Sequence, residues 1–575
     1  MNKNRRQFLE MTTGLMVANF LSGCCLVKKP SPRCPFDPGF VDPEGILAID
    51  VHAHIFNAHD LQVKDFVSRV AVRQSGGLGA LAELLGGFLQ TFAWAGAPST
   101  RKELEVLREL RPAILACETE ANVSRLRALR QQKYAEGRKE LQKAAQKQIE
   151  DTEIQPNSLE GPIESLSATS QGLRQILDLP ETYDELFEPP GDAVPLERKT
   201  PASVLKFVIE MFQYRYVSAY NYLDTYSGGD VKVDLMTPAV VDFDWWISEG
   251  SPTPSRLPHQ MELMKEIAVL TGGRVHAFVP FDPFRQVVND LGLDSGFSPI
   301  ELVRQSISDF GAVGIKLYPP MGFAPYGNEE AGAEMPDMWS KRSWLTDVAR
   351  RSDFGRRLDE SMAKLYEFCA EQDVPIMGHS NESNGPAEDF EKLTAPKYWE
   401  TAIDSFPDVS FCFGHFGGVG SENRSGESNV EGFLRLLKQD LEAGTSRVSA
   451  DASYFSNVLD RPSALQRAIE MVYSFGTTTP TAAFDRLMYG ADWKMLAVEA
   501  DAENYLRDFN RVMLRLEETV GAETRIRQKF FGQNASRFLG LQRGSANRSR
   551  LEAFYDRNGI TAAPSWMGKV DDQVV

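Results

Sequence analysis

Two histidines one residue apart, His52 and His54, stand at the end of the apolar run Ile49-Asp50-Val51-His52-Ala53-His54. Positions i and i+2 of a strand face the same way. Two neutral imidazoles side by side at a strand end make half of a transition-metal site. Histidine is scarce here, seven in 575 residues, yet two more end β-like runs, in Ile376-Met377-Gly378-His379 and Phe413-Gly414-His415. Gly314-Ile315-Lys316-Leu317-Tyr318-Pro319 and Met488-Tyr489-Gly490-Ala491-Asp492 bring a lysine and a carboxylate to equivalent places. A lone His-x-His says little, but five such run ends in series point to one metal centre. His52, His54 and Asp492 offer two nitrogens and one oxygen of borderline hardness, suited to Zn²⁺, Mn²⁺ or Fe²⁺.

Groups so far apart in the chain need a fold that gathers strand ends. From residue 45 the sequence alternates strand-like and helix-like segments, the pattern of parallel α/β architecture. Strands are expected at 46–54, 231–237, 274–281, 312–318, 374–379, 409–415, 448–453 and 487–492. Between them, Phe354–Gln372 carries Leu358, Met362, Leu365 and Cys369 at spacings of three and four, a single buried stripe. Val430–Ala443, Leu257–Leu270 and Pro299–Phe310 repeat the pattern, and the first barrel helix is expected at Ala202–Tyr222. Eight strands with helical connections predict a closed (β/α)8 TIM barrel with its chemistry at the C-terminal strand ends. Strands 1 and 8 are then neighbours, so His52, His54 and Asp492 converge, while His379 and His415 approach from the far wall.

These residues resemble the amidohydrolase superfamily, whose pattern is His-x-His on strand 1, Lys on strand 4, His on strands 5 and 6 and Asp on strand 8. The run around Lys316 looks like strand 4 of dihydroorotase, where the lysine is carboxylated and bridges two metals. The pattern is shared with a decarboxylase-containing group that uses one metal. Phe530-Phe531-Gly532-Gln533-Asn534-Ala535-Ser536-Arg537-Phe538-Leu539-Gly540-Leu541 looks like the terminal helix common to the superfamily. The resemblance spans 45–58 and 230–541. It implies His52, His54, Lys316, His379, His415 and Asp492 as ligands of one or two divalent ions, zinc first, with Lys316 carboxylated or left as an ammonium. It further implies a hydrolase in which activated water attacks an amide, ester or lactone carbonyl. Asp492 would be its general acid/base, and His415 a metal ligand or an oxyanion donor. The alternatives are a mononuclear decarboxylase on the same fold and a non-catalytic, lipid-anchored binding protein.

Between strands 1 and 2 lie roughly 175 residues, against the usual two to six of a βα loop, so residues 59–201 are expected as an inserted, mostly helical subdomain. Arg101–Leu110 and Asn122–Gln148 are charged and rich in helix formers, a solvated helical face rather than a binding patch. Ile154–Pro201 reads as loop, and 542–575 as a C-terminal tail beyond a barrel of 45–58 and 202–541. Tyr318, Asn381 and Trp493, beside ligand positions, are candidate pocket residues, as are Tyr326 and Trp339 in the excursion 319–351. Asp244-Trp245-Trp246 is either an aromatic wall or core. His59 is expected to line the loop after strand 1, His276 to be buried structure and His259 to sit on a helix surface.

Net charge is −18 and the pI about 5.1, a field that repels nucleic acid; a small-molecule substrate is expected, and self-association is left open. Six cysteines in a chain this long make no disulfide scaffold. Asn4-Arg5-Arg6-Gln7-Phe8-Leu9 matches the twin-arginine export pattern, and Leu21-Ser22-Gly23-Cys24 resembles a lipoprotein processing site at which Cys24 is lipidated. An ordinary cleaved signal is the plainer alternative. On this reading 1–24 is a signal, 25–44 a Pro-rich tether in which Cys25 and Cys34 can pair, and the protein is periplasmic or membrane-anchored, touching membrane only through its lipid. The apolar stretch is too short and interrupted for a permanent span.

Overall fold

The computed structural model describes residues 45–71, 94, 96–116, 119–154, 177–183, 185, 209–418, 426–455, 482–498 and 502–572. The proposed signal, Cys24, the tether, Cys117 and most of Ile154–Pro201 lie outside them. No helix among the described residues is long and apolar enough to cross a membrane.

Eight short, buried strands form in the expected order: β1 Ile49–Ala53, β2 Leu235–Pro238, β3 Phe278–Pro280, β4 Gly314–Leu317, β5 Ile376–His379, β6 Phe411–Gly414, β7 Val448–Asp451 and β8 Leu487–Met488. Each is parallel to the next, β1 to β2 and β3 through β8 in sequence. Bridges Met236↔Val275 and Ala239↔Phe278 join β2 to β3, and Ala53↔Trp493 joins the ends of β1 and β8. Val51 N donates to Tyr489 O at 3.2 Å and Asp492 N to His52 O at 2.6 Å. The sheet therefore closes into an eight-stranded barrel, and the closing bonds run through two of the predicted site residues.

Alternation of side chains divides the strands' apolar residues between two cores. Ile315, Ile376, Phe411, Phe413 and Ala450 pack outward with Leu358, Met362 and Leu365 of the helix Phe354–Gln372. That helix has the expected bounds because its stripe is unbroken and Asp373, at φ 48°, stops it in the left-handed conformation. Ile49, Val51, Leu235, Met377, Cys412 and Met488 pack instead with Leu551, Phe554 and Trp566. The last three belong to the helices Ala546–Asn558 and Ser565–Asp572, so the expected tail is a folded plug. It meets the chain just before the strands begin: Trp566 Nε1 donates to Gly273 O, Asn547 Nδ2 to Val313 O, and Lys569 Nζ pairs with Asp234 at 3.0 Å. The N-terminal end of the barrel is thus covered, and the C-terminal strand ends form the opposite face.

The first barrel helix is Arg215–Thr225, not Ala202–Tyr222. Residues 209–210 are helical, but the chain turns at 211–214 before the helix starts; apolar periodicity continues through the turn and hides it. The break places Ile209 and Phe212 in a small core with Tyr134, Leu141, Leu179 and Tyr183 of the insertion. The insertion helix Thr100–Leu115 buries Leu104, Leu107, Leu110 and Ile114 in the main core. The long charged helix Thr119–Ile154 buries Leu126, Tyr134, Leu141 and Ala145. A buried guanidinium ties these parts together. Arg215 pairs with Asp60, just after β1, and with Glu103 of the insertion at 2.9 Å. Removing one member of a buried ion cluster leaves charge uncompensated, typically about 3–5 kcal/mol of lost stability. Arg215→Met is accordingly expected to lower the unfolding free energy from urea titration by that order, and a wild-type value would show that the cluster contributes nothing net.

Candidate metal centre

The four imidazoles predicted from strand ends meet on the C-terminal face. Ring centroids are 5.6 Å apart for His52 and His54, 4.5 Å for His52 and His415, and 4.5 Å for His415 and His379. The backbone is built to admit them. A side chain at Gly414 would come within 3.0 Å of the His52 ring, and one at Gly490 within 2.9 Å of His52 Cβ. His415 (φ 63°) and Asp492 (φ 54°) both hold the left-handed conformation, which non-glycine residues adopt at an energetic disadvantage and which clusters at functional sites.

The hydrogen bonds fix which ring nitrogens are left with lone pairs. His54 Nδ1 lies 2.8 Å from Ala239 O; a carbonyl only accepts, so Nδ1 carries the proton and Nε2 of the neutral ring is a bare acceptor. It faces Asp492 Oδ1 at 3.3 Å, an oxygen that is buried and makes no hydrogen bond. Acceptor against carboxylate is attractive only with a proton or a cation between them. On His415, Nδ1 lies 3.2 Å from Ser453 O, which directs its Nε2 lone pair away from the backbone. His379 is buried with Nδ1 unpartnered and Nε2 3.2 Å from Ser383 Oγ.

His52 is held from both sides. Its Nε2 lies 2.8 Å from Lys316 Nζ and its Nδ1 3.0 Å from Asp451 Oδ2. Burial, then the Lys316 charge, pushes the His52 pKa down to about 3. Burial also pushes Lys316 down to about 8, which raises the fraction of neutral amine. Burial alone would raise Asp451 and Asp492, but His52 hydrogen-bonded to Asp451 and His54 beside Asp492, with His415 near both, hold each carboxyl well below the usual range. Both are anionic at neutral pH, and burial holds His52, His379 and His415 below the usual imidazole range.

Asp451 and Ser453 were not singled out from the sequence. Asp451 ends β7 and is buried; its Oδ1 accepts from His415 N at 3.0 Å and Ser453 N at 3.1 Å. Ser453 Oγ lies 2.9 Å from Nδ1 of both His52 and His415 and donates to Asp451. The available signal was an acid in the apolar run Val448–Ser453, masked because the expected strand ran past it. Asp50 was likewise passed over. Its carboxylate accepts from His52 N at 3.0 Å, Ala491 N at 3.1 Å and the Tyr222 hydroxyl, cross-linking β1 to β8 beneath the histidines. Burial raises its pKa to about 7.

The remaining expected residues divide. Tyr318 stacks on His379 at 4.5 Å and packs against Phe243. Asn381 follows β5, half-buried, its carbonyl accepting from Ser383 N. Trp493 is half-buried against Tyr222 and Tyr226, and its carbonyl accepts from His54 N. Tyr326 packs against Tyr366 and Phe406, and Trp339 bonds Gly322 O and packs on Phe354; both serve the excursion's own packing rather than a pocket. Trp246 is core, among Phe284, Phe323 and Phe390. His276 is buried between Gly311 O and the Tyr555 hydroxyl, His59 bonds Trp94 O, and His259 is exposed.

Two sets of buried donors have all their ligand atoms within 4.8 Å of one another: His52, His54 and Asp492, and His52, His415 and Asp451. Together with the unpartnered Asp492 Oδ1 and His379 Nδ1, this donor chemistry fits a divalent metal. Residues 298–541 match the family model described as Amidohydrolase. That segment is similar to amidohydrolase domains. No curated protein matches the chain. Solved structures similar to it include an uncharacterized TIM-barrel protein from Bordetella bronchiseptica (13% identity, TM-score 0.31, covering 59% of this chain and 85% of that one). An apo-form IDCase from Metarhizium anisopliae is similar at 15% identity and TM-score 0.31, over 57% and 79%. A protein described as a 2-pyrone-4,6-dicarboxylic acid hydrolase from Pseudomonas putida is similar at 13% and 0.31, over 56% and 86%.

Carboxylates that orient metal-binding imidazoles affect affinity about 10–100-fold. Asp451→Asn is expected to weaken zinc binding by that factor in chelator competition; undiminished affinity would remove Asp451 from this supporting role.

Proposed function

We propose that the protein is a metal-dependent hydrolase acting on a carbonyl-type bond. His52, His54 and Asp492 would hold one ion, and His379, His415 and a carboxylated Lys316 a second. A divalent ion so held lowers the pKa of water toward about 7 and polarises a carbonyl oxygen. The chain's own residues supply the rest. Asp492, anionic and with Oδ1 free of hydrogen bonds, takes a proton from the attacking water and returns it to the leaving group, the general acid/base role. With only one ion bound, His415 would instead hydrogen-bond the water or the developing oxyanion. The Tyr318–His379 stack walls one side of the site. The observation that carries this reading is the facing pair of acceptors, His54 Nε2 and Asp492 Oδ1.

A one-metal decarboxylase is the second reading. It is favoured by both compact sets of His and Asp donors sharing His52 and leaving out His379. Metal analysis of the zinc-replete protein separates the two: two ions per chain support the hydrolase, one supports the lyase, and none overturns both in favour of a binding protein. Asp492→Asn is expected to keep the fold and much of the metal while slowing hydrolysis of a probe ester, p-nitrophenyl acetate, by about 100-fold or more. Wild-type turnover in that variant would end the proton-transfer role.

The amino-terminal pattern supports placing this enzyme outside the cytoplasm on a lipidated Cys24. Palmitate labelling of cells is expected to mark the wild-type chain and not Cys24→Ala; equal labelling of both would refute the anchor.

A further inference from the structure

The loop after β8 carries Asp492, and two residues on it carries a buried lysine that the proposed chemistry does not use. Lys494 is 1% exposed and holds a left-handed backbone at φ 79°. Its Nζ donates to Glu210 O at 3.0 Å and Ser218 Oγ at 3.1 Å, and lies 3.6 Å from Glu210 Oε2. Glu210 in turn accepts from the hydroxyl of Tyr183. Tyr183 belongs to the insertion: it packs with Tyr134 of the long helix, and its backbone N bonds Gln131 Oε1 at 2.8 Å. The loop after the adjoining β1 is tied to the same subdomain. Asn57 Nδ2 donates to Pro98 O and Gln213 O, and Asp60 pairs with Arg215, which also holds Glu103. Both chain segments leaving the His52/His54/Asp492 half of the centre are therefore fastened to the insertion through buried polar contacts.

We propose that the insertion is a positioning element for the metal centre, and that Lys494, anchored by Glu210 and Tyr183, is the positioning residue that sets the β8 loop so that Asp492 faces His54. This rests on the reading of Asp492 as a metal ligand. Backbone strain at 492 and 494 makes the anchor necessary: two left-handed residues within three positions relax unless the surrounding structure over-determines them. The insertion is accordingly neither a freely moving lid nor a separate binding module at this edge of the site.

A structural role and a positioning role part company when both charges are removed. Replacing a buried ion pair by uncharged groups of similar volume is often neutral for stability, but it leaves Nζ's three oxygens without their donor. The test is zinc affinity by chelator competition, together with the visible absorption of the cobalt-substituted protein, in Lys494→Met and in the double variant Glu210→Gln/Lys494→Met. Lys569→Met serves as a control that breaks a buried pair at the opposite end of the barrel. Zinc is expected to bind about tenfold more weakly to both Lys494 variants, with an altered cobalt spectrum, while Lys569→Met loses stability and keeps wild-type affinity and spectrum. If the double variant folds and matches wild type in affinity and spectrum, the proposal is overturned and the metal reading stands. A wild-type chain that takes up no zinc overturns both. Weakened binding in Lys569→Met equal to that of the Lys494 variants would reduce the effect to general destabilisation and overturn the proposal as well.

Discussion

The site depends on a local shortage of protons. Three imidazoles of lowered pKa, His52, His379 and His415, two carboxylates held below their usual range and one lysine of lowered pKa share a buried space with His54. Each ring whose Nδ1 is committed, His52 to Asp451, His54 to Ala239 O and His415 to Ser453 O, presents Nε2 inward. Lone pairs so concentrated repel one another unless positive charge lies among them, and Lys316 supplies part of it against His52. A buried carboxylate or ammonium without a partner is far more unfavourable than any hydrogen bond can offset. The electrostatics therefore favours positive charge at this place, a proton or a bound cation, before any reaction is considered.

Barrel closure brings the donors into range. β1 and β8 are joined near their ends by backbone bonds of His52, His54 and Asp492 themselves, so ligands from opposite ends of the chain are spaced by the barrel's own ladder. Asp50 reinforces the seam by accepting from both strands. A Cβ at Gly414 or Gly490 would crowd His52, so neither position carries a side chain. Packing, strain and ligand geometry are thus one problem, and a change in any strand end is felt by its neighbours.

Most of this frame was legible because its signals are local. A ligand at the end of a short apolar run identifies both the strand and its exit, and Phe354–Gln372 and Leu257–Leu270 announce their bounds through unbroken stripes. Asp451 escaped because β7 was expected to extend to Ser453, which made the acid an interior residue instead of a strand end. The turn at 211–214 escaped because Ile209, Met211 and Phe212 continue a helix-like rhythm while packing on the insertion and its surroundings rather than the barrel. Tyr326 and Trp339 looked available because exposure cannot be read from residue type: their partners Tyr366, Phe406 and Phe354 lie outside the excursion, further along the chain. What the sequence withholds throughout is the identity of the group on the other side of a long-range contact.

That limitation bears on why the insertion grips the site with ions and hydrogen bonds. Apolar residues of matching volume would hold it at least as firmly, since desolvating a buried pair offsets most of its attraction. Apolar contact is non-directional, however, and tolerates sliding. Lys494 is fixed by three oxygens in three directions, and Arg215 by two carboxylates, the Ser255 hydroxyl and Pro98 O. Each network specifies one position for its loop and leaves donors unsatisfied at any other. Where ligand atoms must sit within a few tenths of an ångström to share an ion, such directional constraint contributes what hydrophobic burial alone cannot.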